Sequence, residues 1–287
     1  VGNSWMNISE GAATNALIIN TTQSGIYRGN EYVAADSLRF VDGKTYSISE
    51  YDVFREGKGI EVHTTQFDDY IDLTGYTASD FYGTDRGAPI DITTSFGNDV
   101  YIGPSFLNSD GKFVSVLDNQ HYFEFADQYG LDASQGLQIN LQGDGRVEIL
   151  DAANGFTSQA YNITQVQTSQ FSNDIVYGDI EDNNFYSYGG TDIFHGSAGK
   201  DVFTLSKRSY DYGLEHKIII EDYESGEEIR LRNLDFTDNF ENEGSVNYNG
   251  VTGYTTISKI LDGGSLQPLV EIKGMWDVDT ASVDSRG

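Results

Sequence analysis

The chain has 287 residues, of which 45 are acidic and 17 basic, and carries a formal net charge of −28. Like charges at that density oppose compaction unless something neutralises them, and no basic stripe is available to meet the phosphates of a nucleic acid or an anionic membrane surface. The absence of cysteine excludes disulfides and thiol catalysis, and no apolar run approaches the ~20 residues that span a bilayer as a helix.

The chain is rich in 19 Tyr, 16 Phe and 32 Gly, against 3 Pro. Aromatic and β-branched residues favour strands, and Gly, Asn and Asp favour turns. No amphipathic helical pattern longer than about ten residues is present. The composition is that of an ordered all-β protein, and the length permits one elongated domain or two compact ones.

In chain order, residues 1–58 offer strands at 16–19, 32–34, 38–41 and 46–48, with Asp42-Gly43 as a hairpin turn signal. Residues 60–103 contain an internal repeat. IEVHTTQFDDYIDL (60–73) aligns with IDITTSFGNDVYI (90–102), matching Phe67 to Phe96 and Asp69 to Asp99. Residues 104–165 lose this phase. They predict strands at 113–117, 122–125, 137–141 and 147–150, and Gln142-Gly143-Asp144-Gly145 reads as a tight turn. Asp144 has an ion-binding reading as well, and the hairpin setting favours the turn.

From Ser169 to Thr204 the chain reads in nines: SQFSNDIVY, GDIEDNNFY, SYGGTDIFH, GSAGKDVFT. Position six is Asp174, Asn183, Asp192 and Asp201. Position eight is Val176, Phe185, Phe194 and Phe203. Gly190 and Gly199 hold position four in the last two units, where Ser172 and Glu181 stand in the first two. The strict phase ends on both sides. Continued backward it puts Gln165 and Gln167 at positions six and eight, and continued forward it puts Tyr210 at position six. Phe96-Gly97-Asn98-Asp99-Val100-Tyr101 is a further unit of the same kind, nearly repeated by Phe171-Ser172-Asn173-Asp174-Ile175-Val176.

This nonapeptide pattern resembles the RTX (repeats-in-toxin) family of calcium-binding β-rolls. The resemblance implies six turn residues and three strand residues per unit, with position eight facing inward. Two units then complete one coil of a flattened right-handed solenoid, which stacks Asp174 on Asp192 and Asn183 on Asp201. Ca²⁺ takes six to eight oxygen ligands in a flexible cage. Carboxylates at position six and turn carbonyls supply such oxygens, and glycine at position four lets the backbone approach with positive φ. The expected metal residues are Asp174, Asn183, Asp192, Asp201, Gly190 and Gly199. Asp174/Asp192, with two carboxylates, is the better pair; a further site is expected at Asp99, facing Asp69. Asp and Asn that simply shape turns are the competing reading. Residues 218–231 resemble the family's D-x-I-x-D-F-x-x-G-x-D-x-I-x-L cap, and 269–275 its last strand, although His216 and Lys217 stand where the family often has Asn-Asp.

Searches for catalytic motifs fail. There is no H-E-x-x-H, and the four histidines, His63, His121, His195 and His216, are scattered. No G-x-S-x-G elbow occurs. Among 45 acidic residues no pair can be chosen for glycoside chemistry.

The expectation is an all-β, right-handed parallel β-roll or β-helix solenoid. Residues 1–165 form irregular N-terminal coils, 166–210 a calcium-binding roll, and 211–287 a C-terminal β cap. The expected function is that of a calcium-folded structural or interaction protein, exported by type I secretion from a bacterium to the extracellular space or cell surface. An adhesin, surface-layer or matrix role fits. Ca²⁺ is the expected cofactor, and calcium, a surface glycan or copies of the chain itself are the expected partners. A polysaccharide-active enzyme, or its glycan-binding module, is the alternative.

Overall fold

The computed structural model describes residues 68–72, 74, 92–94, 96–108, 111, 113–119, 122, 130–206, 216–234 and 243–276, with the backbone alone at 17–20, 38–40, 45–46, 60–63 and 90–91. Among these residues every regular element is a strand. The first eight are β1 (Leu17–Asn20), β2 (Leu38–Phe40), β3 (Thr45–Tyr46), β4 (Ile60–His63), β5 (Tyr70–Asp72), β6 (Ile90–Thr93), β7 (Val100–Ile102) and β8 (Ser115–Asp118). The middle of the chain forms β9 (Gln138–Leu141), β10 (Val147–Asp151), β11 (Phe156–Tyr161), β12 (Ile163–Gln167), β13 (Ile175–Tyr177), β14 (Asn184–Ser187), β15 (Gly190–His195) and β16 (Val202–Ser206). The last are β17 (His216–Ile220), β18 (Glu228–Arg232), β19 (Gly244–Asn249), β20 (Tyr254–Ile260) and β21 (Leu266–Lys273).

They form two sheets. The larger has the order β19-β20-β21-β17-β15-β13-β9-β10-β11-β7-β5-β1-β2-β3, the smaller β18-β16-β14-β12-β8-β6-β4. From β12 to β18 successive strands alternate between the sheets. Every pairing in the smaller sheet is parallel. The larger sheet is mixed: antiparallel β1-β2-β3 and β19-β20-β21 lie at its two ends and antiparallel β9-β10-β11 at its middle, with parallel pairs between them. β12 spans position 165/166, and both sheets hold strands from before 206 and from after 216. No described helix is long and apolar enough to cross a membrane.

The nine-residue period sets the core. Val176 pairs in register with Phe194, and Phe185 with Phe203, and all four are fully buried. The Phe185 ring stacks on Phe194 at 5.3 Å and on Phe203 at 5.4 Å. Each such ring contributes about 1.5–3 kcal/mol by leaving water. The 60–102 repeat has the same basis: Ile60 lies beside Ile90 and Tyr70 beside Val100, a constant offset along both strand pairs.

Several expected elements shift. The unit before the repeat keeps its place but slips one residue, because Val166 rather than Gln167 stacks on Phe185. An apolar side chain wins the inward position, and the irregular register between β8 and β12 absorbs the slip. Forward of the repeat, Ile218 rather than Tyr210 lies beside Asp192, so the next strand resumes after an insertion. Strands β11, β12, β19 and β20 were not expected. β11 and β19 are polar segments (FTSQAY and GSVNYN) that form because a partner strand satisfies their backbone. Tyr122 sits in a turn, and the expected strands' residues 32–34, 41, 47–48 and 123–125 lie outside the described residues, as does the 41–44 turn; the strands on either side of that turn pair antiparallel.

Phe185→Ala, which removes the ring central to this stack, is expected to cost about 3–5 kcal/mol in urea unfolding. The solvent-side neighbour Tyr186→Ala is expected to cost under about 1 kcal/mol.

Candidate metal centre

The last turn residue before each inward-facing strand carries an acid or an amide, and these residues stack between units. Asp174 lies beside Asp192 in the larger sheet, and Asn183 beside Asp201 in the smaller. Asp69 lies beside Asp99 by the β5–β7 register. All six are buried.

A reciprocal clasp joins each pair. The carboxylate of the later residue accepts the backbone N–H of the earlier one: Asp99 Oδ1 from Asp69 at 2.7 Å, Asp192 Oδ1 from Asp174 at 2.9 Å, and Asp201 Oδ1 from Asn183 at 2.8 Å. In return, the residue one place earlier in the first turn accepts from the second turn. Asp68 Oδ1 takes the N–H of Asn98 at 2.8 Å, Asn173 Oδ1 that of Thr191 at 2.7 Å, and Asp182 Oδ1 that of Lys200 at 2.8 Å. The sequence reading missed Asp68 and Asn173 as partners. Their signal is the Asp/Asn doublet ahead of each strand: Asp68-Asp69, Asn173-Asp174 and Asp182-Asn183. Gly190 and Gly199 have φ of 73° and 123°. A Cβ on Gly190 would strike the Ser172 carbonyl, and one on Gly199 the Glu181 carbonyl, so these glycines let stacked turns touch.

The second carboxylate oxygens differ from pair to pair. Asp174 Oδ2 accepts the Ser169 N–H at 2.6 Å, while its Oδ1 takes the Leu137 N–H at 2.7 Å. Asp192 Oδ2 accepts the Thr168 hydroxyl at 2.7 Å, and Asp99 Oδ2 that of Tyr101. These dyads are closed by protein donors. Asp201 Oδ2 is buried with no hydrogen-bond partner.

What Asp201 Oδ2 faces is a residue the sequence reading did not single out. The register of β16 with β18 sets Val202 beside Glu228, which places Glu227 on Asp201. A Cβ on Gly196 would strike Asp201 Oδ2 and lie 3.1 Å from Glu227 Oε1, so both oxygens converge on the open face of that glycine. With both carboxyls ionised, no donor lies between them. Glu227 Oε2 is held by the Glu224 N–H at 2.7 Å. Asp222 closes the same turn by accepting the Gly196 and Ser197 N–H groups at 2.7 and 3.0 Å.

Burial, opposed by the Asn183 N–H and by a hydrogen bond from the Glu227 carboxyl when that is protonated, and aggravated by Asp182 and Asp222, pushes the Asp201 carboxyl up to about 6. Burial first, then Asp201 and Asp222, pushes Glu227 up to about 8. Burial raises Asp174 to about 6, and burial with the adjacent Asp174 charge raises Asp192 well above its ordinary range. Asp99 is raised likewise by burial and by Asp69.

Among the described residues no three His, Cys, Asp or Glu side chains form a metal-holding group. Among the stacked pairs, Asp201 and Glu227 are the ones that turn carboxylate oxygens toward each other with no backbone or hydroxyl donor between them. The N–H donors on Asp174 and Asp192 make that pair the poorer fit, reversing the order expected from charge alone. The other candidates separate from this centre. Asp144 has φ of 54° in the β9–β10 turn and donates its N–H to Glu181 Oε1, a turn role. His195 stacks on Tyr177 at 4.7 Å, and His216 Nε2 lies 3.2 Å from Ser187 Oγ. The side chain of His63 and all of His121 lie outside the described residues.

No family model and no curated protein matches the chain. Among solved structures it is similar to the extracellular lipase LipA from Serratia marcescens, with 11% identity and a TM-score of 0.25; the match covers 78% of this chain and 38% of the lipase. The chain thus spans well under half the length of that protein, and a likeness of this size leaves the functional reading to the residues themselves.

Raised carboxyl pKa values mean that the folded state holds protons the unfolded chain releases. That stability is complete below the ordinary values of 3.8 and 4.5 and is lost as pH rises through about 6 for Asp174 and Asp201 and about 8 for Glu227. In metal-free buffer the melting temperature is therefore expected to fall between about pH 5 and pH 8. Asp201→Asn with Glu227→Gln should flatten that fall.

Proposed function

We propose that this chain is a calcium-stabilised parallel β-roll of a secreted protein, with a structural or adhesive role. The observation that carries the reading is the buried, donor-free Asp201 Oδ2 facing Glu227 at the junction of the repeat with the segment after it. Two buried carboxyls here either share one proton, Glu227 donating to Asp201, or ionise together at the cost of burial and repulsion. A divalent cation answers both costs with one ligand. The chain's charge of −28 supports a cation in particular, because neutralisation favours compaction over the whole molecule.

Asp201 and Glu227 would hold the ion, and Asp222 would add to the field without giving up its backbone bonds. The ion supplies charge neutralisation and no chemistry. Calcium sites in extracellular modules have dissociation constants of ~10⁻⁴–10⁻³ M. At about ten times that concentration one site adds roughly 1.4 kcal/mol to folding. Cytosolic calcium lies far below this range, so the same site would leave the chain less stable before export than after it.

Thermal unfolding followed by circular dichroism at neutral pH tests the reading. Millimolar CaCl₂ is expected to raise the melting temperature over EDTA, and Asp201→Asn with Glu227→Gln to abolish that rise. Asp174→Asn turns an amide donor toward the Ser169 N–H or its neighbours, so it should cost about 1–3 kcal/mol with and without calcium alike. A melting temperature indifferent to calcium in the unaltered chain would defeat the proposal.

A further inference from the structure

The sequence holds two Asn-Gly pairs, Asn154-Gly155 and Asn249-Gly250. Glycine has no Cβ to shield its backbone nitrogen. In such a pair that nitrogen can attack the amide carbon of the preceding side chain. Whether it does depends on what holds the two groups, and the structure holds the two pairs in opposite ways.

Asn154 is clamped. Its Nδ2 donates to the Asp132 carbonyl at 2.9 Å and to Asp151 Oδ2 at 2.8 Å, and its Oδ1 accepts the Asp132 N–H at 2.8 Å. The nucleophile of this pair is engaged as well: the Gly155 N–H donates to the Asp151 carbonyl at 2.8 Å. Reaction there would first have to break these bonds.

Asn249 is exposed, ends β19 and opens the 250–253 turn to β20. Its Oδ1 accepts the N–H of Val251 at 2.9 Å and that of Thr252 at 3.3 Å. Among the described residues neither its Nδ2 nor the Gly250 N–H donates to any group. Beyond its chain neighbours, a Cβ on Gly250 would touch only the Tyr248 ring, at 3.8 Å, so the nitrogen is open to solvent base. The bond from Val251 closes a ring that contains both the Asn249 amide carbon and the Gly250 nitrogen, which keeps the reacting atoms close. The same two N–H groups point at the oxygen on which negative charge develops as the nitrogen adds.

We propose that Asn249 is a self-modification site, converted to aspartate and isoaspartate through a cyclic imide. The Gly250 nitrogen gives its proton to hydroxide and bonds to the Asn249 amide carbon. The adduct takes a proton on Nδ2 and expels ammonia, which leaves the imide. Water then adds to one imide carbonyl and breaks its bond to nitrogen. Opening at the side-chain carbonyl gives aspartate, and opening at the main-chain carbonyl gives isoaspartate. Net, one water enters and one ammonia leaves. Both products add a negative charge to the turn. Isoaspartate also routes the main chain through the side-chain methylene, lengthening the connection that ties β19, the end strand of the larger sheet, to β20. The site shares no residue with the proposed calcium centre, so the two readings fail independently.

Incubation of the full chain with calcium in mildly alkaline, heavy-oxygen water, followed by digestion in ordinary water and peptide mapping by mass spectrometry, tests the site. The heavy label marks conversion that preceded digestion. The Asn249 peptide is expected to become a labelled acid and to split into two isomers, while Asn154 stays an amide. One hydrogen bond on the nucleophile is worth about tenfold in rate, so Asn249 should convert at least about tenfold faster than Asn154. In urea, which releases both pairs, the two rates should converge. Gly250 is not among the residues with positive φ, so Gly250→Ala should keep the melting temperature and slow conversion at Asn249 severalfold, with Asn154 unaffected. An amide that persists at Asn249, conversion of Asn154 at an equal rate in the folded chain, or a difference that survives in urea would overturn the proposal.

Discussion

The constraint on which the rest of this structure depends is the stacking of one turn on the next. Where turns are pressed together, backbone N–H groups are shut away from water, and each left unsatisfied costs about 1–3 kcal/mol. A strand ladder satisfies its own N–H groups; a turn does not. This chain answers with side chains. Asp99, Asp192 and Asp201 each reach back to an N–H of the turn stacked beneath, and Asp68, Asn173 and Asp182 reach forward to the turn stacked above. A short side chain with an acceptor oxygen is what the gap accommodates. The consequence is a column of buried carboxylates in a protein already overloaded with negative charge.

Two requirements with one period explain why the fold tolerates that column. The inward position needs a large apolar side chain, and the turn needs an acceptor two residues before it. Asp174-Ile175-Val176, Asp192-Ile193-Phe194 and Asp201-Val202-Phe203 meet both in three residues. The apolar stack fixes the register, and the register aims the carboxylate. Where the two conflict, the apolar requirement wins: β12 keeps its stack through Val166 and loses an acid at the turn. The clasp therefore follows the core, not the reverse.

This division also explains what the sequence revealed. The phase of Val176, Phe185, Phe194 and Phe203, and the pairs Asp174/Asp192 and Asn183/Asp201, were legible because every unit has the same length. The 60–102 repeat was legible too, since Asp69 and Asp99 sit at a constant offset in the paired strands. Glu227 was not legible. The unit holding it follows an insertion, and only the pairing of Val202 with Glu228 shows that it continues the Asn183–Asp201 column. Strands such as β11 and β19 carry too little apolar pattern to be seen without their partners.

The two columns of turns end differently, and this difference sets where a bound ion would act. On the larger sheet the unit after Asp192 presents Ile218, which adds no charge, and Asp192's own oxygens are capped by Asp174 N–H and Thr168. That column terminates neutrally. On the smaller sheet the unit after Asp201 presents Glu227, with Asp222 close by, and Asp201 Oδ2 is left without a donor. A column of acceptors that each borrow a donor from a neighbour must run out of donors at one end. Here it runs out between β16 and β18, where the repeat meets the segment that closes it. A cation bound there would take the place of the donor that Asp201 Oδ2 lacks, joining the repeat to the segment that follows it.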